Sequence, residues 1–232
     1  MRYQEFERII SAERMSRYFE ACGGNTRKAM TLYKYNIELS QVMFAIICHF
    51  EVALRNAIDS ILRVSFGNEW LKDSAQAGGL FDTPETQKEF LSIGHAYRNL
   101  LSSNNYSHEG LLACMGFGFW KYRYSPLQYR MTGRTLLRVF PDKPRSTAQV
   151  QYNHTYIFNE LDKINTLRNR IAHHEPICFT THEATIYTNY ILNEYQKINL
   201  LFRWMGINSA DLLSGLDHVR PIFAKIERLK PA

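Results

Sequence analysis

Apolar residues recur every three or four positions along most of the chain, and strict alternation over more than four residues is hard to find. The longest such stretch covers about residues 37–66 and ends at Gly67-Asn68. A second stretch covers about residues 148–174 and stops before Pro176. Both are long enough for helices of many turns. The pattern therefore predicts an all-α protein built around long helices.

Residues typical of helix ends delimit three more helices. Thr83-Pro84 and Ser125-Pro126 each combine an N-cap residue with a first-turn proline, and Gly206 is a typical C-cap. The predicted segments are residues 83–101, 125–139 and 180–205, the last beginning at Thr180 or Thr181. Shorter helices are expected before residue 22, over about 110–122 and after Ser209. Without an internal repeat or a Pro-rich linker, one domain over residues 1–232 is expected.

Composition excludes several classes of protein. With 45% hydrophobic and 13% aromatic residues, the chain is too apolar to be disordered. It has no run of 18 apolar residues, and Glu5 and Glu7 interrupt the N-terminus where a secretory signal needs an apolar core. Four scattered cysteines form no CxxC pair. We therefore expect a soluble protein of the reducing cytoplasm, with no membrane segment, disulfide framework or bound metal.

The net charge of +6 is concentrated in one segment, residues 115–145, which we call the basic-aromatic window. It holds seven Lys or Arg residues, one Asp and seven aromatic residues, and the rest of the chain is neutral. Basic side chains among aromatic rings suit single-stranded RNA, although a solvated helix face with its rings in the core is an alternative. The predicted RNA contacts are Lys121, Arg123, Arg130, Arg134 and Arg138. The last three are four residues apart, on one face of the helix predicted over 125–139.

The segment from Leu161 to Pro176 carries the candidate chemistry. Asn169 and His173 are four residues apart on the polar side of the predicted helix, and Arg168 lies at the edge of its apolar stripe. Histidine can move protons near neutral pH, and an arginine fork fits phosphate oxygens. Together they suit metal-independent cleavage of a phosphodiester beside a ribose 2′-hydroxyl. The alternative is structural, because Arg and His are favourable at any helix C-terminus.

Other interpretations of nearby residues stay open but have less support. His173, His174, Glu175 and His182 suggest a metal site, yet adjacent helical residues point about 100° apart. Cys178 as a nucleophile has no identifiable base at helical spacing. Glu51 and Arg55, four residues apart in the longest helix, can pair with each other, or Glu51 can brace Arg168.

The motif Arg168-Asn-Arg-Ile-Ala-His173-His174 resembles the RNxxxH motif of the HEPN ribonuclease superfamily, and the whole chain resembles its Abi-like (abortive infection) family. Three further segments are similar to that family, and with the motif they span roughly residues 40–205. They are FEVALRNAI at 50–58, GFGFWKYRY at 116–124 and VFP at 139–141.

The resemblance implies an all-α HEPN-like bundle of long helices with additional peripheral helices. It also implies a homodimer whose two motifs form one composite endoribonuclease site without a cofactor. By analogy, Arg168 holds the scissile phosphate, His173 transfers protons, and Asn169 positions these two side chains, with His174 as a second candidate for the role of His173. The implied role is that of an RNA-cutting toxin in phage defence, with a possible protein or RNA antitoxin. The alternative is a non-catalytic HEPN module that binds RNA or a protein through the basic-aromatic window.

Overall fold

The computed structural model describes residues 1–180 and 183–231, and it confirms the all-α prediction. The described chain contains no β-strand, only an isolated antiparallel bridge between Phe179 and Ile186. Two short 3-10 helices cover Pro84–Thr86 and Leu136–Val139. The α-helices are α1 Tyr3–Ile10, α2 Ala12–Ala21, α3 Thr26–Phe66, α4 Trp70–Asp73, α5 Gln87–Ser102, α6 His108–Ala113, α7 Phe117–Tyr122, α8 Pro126–Met131, α9 His154–Ala172, α10 Asn189–Trp204, α11 Ser209–Leu212 and α12 Val219–Glu227.

Helix α3 is longer than its apolar pattern predicts. It ends where expected, because Gly67 takes a left-handed φ of 89° and its amide still donates to the Arg63 carbonyl. It begins eleven residues early, where Asn25 caps the Lys28 amide at 3.0 Å. Its buried side chains recur at helical spacing: Leu32, Leu39, Met43, Ile46, Phe50, Leu54, Ile58 and Leu62.

By length and composition alone, α3 is also able to cross a membrane. Its most apolar 18-residue window has a mean hydropathy of 1.6, and 33% of that window is buried. The core helix of a soluble protein meets the same criterion, so this finding does not assign a location.

The chain divides into two compact units. The first unit comprises Met1–His49, Thr166–Arg203 and the chain from Ile207 onward, and the second comprises Phe50–Asn165 and Trp204–Gly206. The division falls within α3, within α9 and before the last residue of α10. The single domain expected over residues 1–232 stays a prediction.

The second unit is organised around a buried carboxylate. Asp59 accepts hydrogen bonds from the Trp70 indole and from Nε2 of His108, both at 2.8 Å, and its other oxygen accepts from Arg63 at 2.8 Å. Buried polar groups need hydrogen-bond partners. This carboxylate accepts from three donors, one each in α3, α4 and α6. In the same unit, the indole of Trp120 donates to the Met115 carbonyl at 3.0 Å.

Besides the early start of α3, three helix boundaries differ from prediction. Helix α9 begins at His154 rather than near residue 148, because Ser146 binds the Tyr152 amide in a loop and Asn153 caps the Tyr156 amide. The segment predicted over 110–122 is split into α6 and α7 around residues 114–116. The helix predicted from Ser125 to Val139 ends at Met131.

A further difference lies between α9 and α10. Residues 177–180 and 183–188 are not helical, and the Tyr187 amide donates to the Cys178 carbonyl at 2.9 Å. The run Thr185-Ile-Tyr-Thr188 favours extended backbone, which accounts for the bridge there and for the late start of α10. The helix ends before Gly206, as predicted. The alternative start at Thr181 lies outside the described residues.

Candidate functional site

The predicted motif lies at the C-terminal end of α9, in the first unit. The apolar stripe of this helix is buried as expected, with Leu161, Ile164 and Leu167 fully buried and Ile171 nearly so. On the polar side, Asn169 and His173 are exposed, and Arg168 is half-buried. The helix therefore presents the motif residues to solvent from a fixed backbone.

His174 ends α9 in an uncommon way. Its φ of 58° is left-handed, its amide donates to the Ile171 carbonyl, and the Glu175 amide donates to the Arg170 carbonyl, both at 2.9 Å. These two bonds form a Schellman motif with His174 at the position that glycine usually occupies. A histidine there is held against a backbone preference, since its Cβ disfavours positive φ.

The motif side chains do not form a complete site within one chain. The Arg168 guanidinium donates a long 3.4 Å hydrogen bond to the Asn169 side-chain oxygen. Within residues 1–180 and 183–231, Arg168 makes no hydrogen bond to His173, and the His173 imidazole makes none at all. The structure thus brings Arg168 to Asn169 and leaves the imidazole open to a substrate or a second copy of the chain.

Three side chains that the sequence analysis did not select anchor the chain beyond the motif. Asn36 of α3 is buried, and its oxygen accepts from the amides of Ile177 at 2.9 Å and Cys178 at 3.2 Å. Arg170 donates to the Pro176 carbonyl at 2.8 Å and to Glu175 at 3.3 Å. The third is Arg17, which donates to the carbonyls of Thr180 and Glu183 and stacks over the Phe179 ring. Asn36 lies just before the apolar stretch predicted over 37–66, so the sequence offered no clear signal for any of the three.

Two clefts flank the end of α9 within the first unit. One, of about 430 Å³, has mainly apolar walls that include Ile37, Phe44 and Ile171, with His174 and Glu175 at its edge. The other, of about 710 Å³, is lined by Arg17, Arg170 and the rings of Phe179, Tyr187 and Tyr190. The motif end is therefore accessible from more than one side.

The competing chemistries gain no support from the described residues. Cys178 is fully buried, and burial raises the pKa of its thiol, which disfavours the thiolate that a nucleophile requires. Residues 1–180 and 183–231 hold no cluster of three or more His, Cys, Asp or Glu side chains suited to a metal ion. His182, named with the possible metal ligands, lies outside the described residues.

Glu51 and Arg55 belong to the second unit, whereas Arg168 belongs to the first. Arg55 donates to the side chain of its neighbour Asn56 at 3.4 Å. The supporting role of Glu51 and Arg55 stays a prediction.

The basic-aromatic window is partly a core element. Lys121 is buried and donates to Asp162 at 2.7 Å, and Arg123 is fully buried between the rings of Phe81 and Phe119. Burial lowers the pKa of Arg123 to about 9, which still leaves it charged at neutral pH. The prediction that these two side chains are exposed RNA contacts needs correction, because both are enclosed by their own unit.

Arg130, Arg134 and Arg138 are exposed, but they do not share one helix face. Gly133 and Arg134 take left-handed φ values of 69° and 59°, which end α8 and separate it from the 3-10 helix that carries Arg138. The Tyr129 hydroxyl donates to the Arg134 carbonyl at 2.7 Å and fixes this turn. The three arginines therefore occupy a helix end, a turn and a second helix.

Comparison with known proteins identifies the family. The model of the Abi-like protein family matches residues 2–178, which cover α1 to α9 and the motif. The chain belongs to the Abi-like protein family. Membership in it implies a role related to abortive infection. The Abi-like match begins well before residue 40, where the sequence resemblance becomes clear. No curated protein and no solved structure matches the chain.

Proposed function

We propose that this Abi-like protein is a metal-independent endoribonuclease that acts as an abortive-infection toxin against phage in the bacterial cytoplasm. The observation that carries the proposal is the exposed polar end of α9. There Asn169 and His173 face solvent beside Arg168, on a helix whose opposite side is buried. Exposure matters because it leaves these side chains accessible to a substrate, and the His173 imidazole makes no hydrogen bond among the described residues.

The proposed reaction uses the substrate's own nucleophile. His173 removes the proton of a ribose 2′-hydroxyl, whose oxygen bonds to the adjacent phosphorus as the bond from phosphorus to the 5′-oxygen breaks. A protonated histidine gives a proton to the leaving 5′-oxygen, and Arg168 stabilises the negative charge that develops on the phosphoryl oxygens. The products are a 2′,3′-cyclic phosphate and a 5′-hydroxyl. Asn169 orients Arg168, to which it is already hydrogen-bonded.

A homodimer is part of the proposal. Each chain carries one motif, and a single imidazole has to serve as base at one oxygen and acid at another. A second copy would supply the second imidazole, and the absence of an Arg168–His173 hydrogen bond within the described chain is compatible with groups that meet across two copies. His174 is an alternative candidate for the second proton transfer.

RNA cleavage in EDTA is the decisive measurement. Purified protein is expected to cut single-stranded RNA and to leave cyclic phosphate ends, and Arg168→Ala or His173→Ala should abolish cutting without loss of the folded state. Arg203→Ala is a suitable control, since Arg203 is an exposed arginine of α10, outside the motif. Persistent cutting by the His173→Ala, His174→Ala double variant would reject the mechanism.

The alternative function is RNA or protein binding without cleavage. It is favoured by Arg130, Arg134 and Arg138, which are all exposed in the second unit. It predicts salt-dependent binding that survives both motif substitutions, with intact RNA afterwards. Growth arrest on expression that is relieved by His173→Ala would contradict it, whether or not an antitoxin exists.

A further inference from the structure

The second unit contains a cleft of about 320 Å³ whose walls join two arginines to a stacked pair of rings. Its lining residues are Pro126, Tyr129, Arg130, Arg134 and His154. Four of these belong to the basic-aromatic window, but His154 comes from the first position of α9. The fold thus places the His154 imidazole beside Arg130 and Arg134, an arrangement that their order in the sequence does not predict.

The two arginines have no counter-ion there. Among residues 1–180 and 183–231, neither the Arg130 nor the Arg134 guanidinium makes a hydrogen bond or an ion pair, and no carboxylate lines the cleft. Two permanent cations on one concave surface attract an anion, and the planar guanidinium fork matches phosphate oxygens. The charge of this cleft is therefore available to a ligand.

Arg134 occupies its place against a backbone preference. Its φ of 59° is left-handed, a conformation that favours glycine or asparagine. The turn is held by the Tyr129 hydroxyl, which donates to the Arg134 carbonyl at 2.7 Å, and by the Arg134 amide, which donates to the Tyr129 carbonyl at 2.9 Å. Strained residues of this kind cluster at binding and active sites, and here the strain places a guanidinium on the cleft.

His154 is oriented by two contacts. Its Nδ1 donates to the Tyr124 carbonyl at 3.0 Å, because a carbonyl can only accept. Its ring stacks on Tyr129, with centroids 4.5 Å apart and planes 19° apart. Nε2 is the remaining polar atom of the ring, and it has no hydrogen bond among the described residues. A protonated imidazole in this position has one donor left for an anion.

We propose that this cleft binds a phosphate group of an RNA strand, through the guanidiniums of Arg130 and Arg134 and through Nε2 of His154. The strand is held here, not cut, since the cleft lacks the Arg168–Asn169–His173 set. The inference rests on the proposed function in one respect, that RNA is the ligand. A binding assay tests it without any cleavage.

The assay measures the affinity of a fluorescein-labelled oligouridine for the His173→Ala protein by anisotropy, across a series of salt concentrations. Arg134→Gly is the most informative variant, because it removes the guanidinium and relaxes the backbone, so the protein should stay folded. We expect Arg134→Gly and Arg130→Ala each to weaken binding roughly tenfold. Each should also lower the slope of log affinity against log salt by about 0.7. Arg145→Ala, an exposed arginine of the same window outside the cleft, should change affinity by less than about twofold.

Equal effects of Arg134→Gly and Arg145→Ala would overturn the proposal, since they would indicate a diffuse basic surface. Competition by inorganic phosphate or uridine monophosphate identifies the source of the phosphate. Displacement of the oligouridine that depends on Arg134 supports a phosphate site that free nucleotides also reach. Absence of RNA cleavage by the unmodified protein would reject the endoribonuclease and leave this binding result intact.

Discussion

The side-chain oxygen of Asn36 accepts a hydrogen bond from the backbone amide of Ile177 at 2.9 Å, and it also accepts from Cys178. All three residues are buried, so both amides depend on this one oxygen. Replacing Asn36 with leucine leaves two buried donors unsatisfied, at about 1–3 kcal/mol each. We expect Asn36→Leu to lower the free energy of unfolding by about 2–6 kcal/mol, measured by urea denaturation.

The matched control for Asn36→Leu is Gln41→Leu on the same helix. Gln41 is exposed and makes no hydrogen bond to the described residues, so its replacement should change stability by no more than about 0.5 kcal/mol. Equal destabilisation by the two variants would show that Asn36 does not clamp the chain after α9.

His174 has a left-handed backbone, so a substitution by glycine can test its role in capping α9 separately from a role in catalysis. Glycine at this position removes the Cβ penalty, so His174→Gly should raise the free energy of unfolding by about 0.5–1 kcal/mol. If His173 is the main catalytic histidine, the His174→Gly protein should still arrest growth, whereas His173→Ala should not. Thermal denaturation and growth curves after induction measure the two effects.

Loss of growth arrest in a stabilised His174→Gly protein would instead assign proton transfer to His174. A His174→Gly protein that is less stable than the unmodified one would contradict the Schellman geometry at the end of α9.

The burial of Arg123 predicts that it affects stability and not RNA binding. Its guanidinium lies 4.3 Å from the centroid of the Phe81 ring and 4.0 Å from that of Phe119, while Nη1 and Nη2 have no hydrogen bond. Arg123→Ala opens a cavity and should be clearly destabilising, whereas Arg123→Met retains the packing and should cost less. Both folded variants should bind oligouridine within about twofold of the unmodified protein, in contrast to Arg130→Ala. A large loss of affinity in Arg123→Met would restore Arg123 as an RNA contact.

Features that depend on local spacing could be predicted from the sequence. The buried stripe of α9 and the ends of helices at Gly67 and Gly206 follow from periodicity and from glycine, which act within a few residues. The exposed Asn169 and His173 were predicted for the same reason.

Features that depend on distant partners could not be predicted. Asn36 is satisfied by an amide 141 residues away, and one of the two rings that enclose Arg123, that of Phe81, comes from a distant segment. Arg134 is a different case, because its spacing from Arg130 predicts a helix, whereas the neighbouring Gly133 and the Tyr129 hydroxyl turn the chain there. The sequence shows where basic residues cluster along the chain, but tertiary packing decides which of them are exposed.

The Asp59 carboxylate should be the most sensitive polar position of the second unit. Asp59→Ala removes the acceptor of the Trp70 indole and of His108 and leaves both buried, and it also ends the ion pair with Arg63. Breaking a buried charged network by removing one partner costs about 3–5 kcal/mol. Asp59→Asn retains one acceptor oxygen, so it should cost less than Asp59→Ala in urea denaturation. Glu109→Ala is the control, since its carboxylate also pairs with Arg63 at 2.8 Å but is 72% exposed, so its loss should destabilise the protein much less than Asp59→Ala. Similar losses for Asp59→Ala and Glu109→Ala would mean that burial of Asp59 contributes little, and that the pairing with Arg63 alone sets the effect.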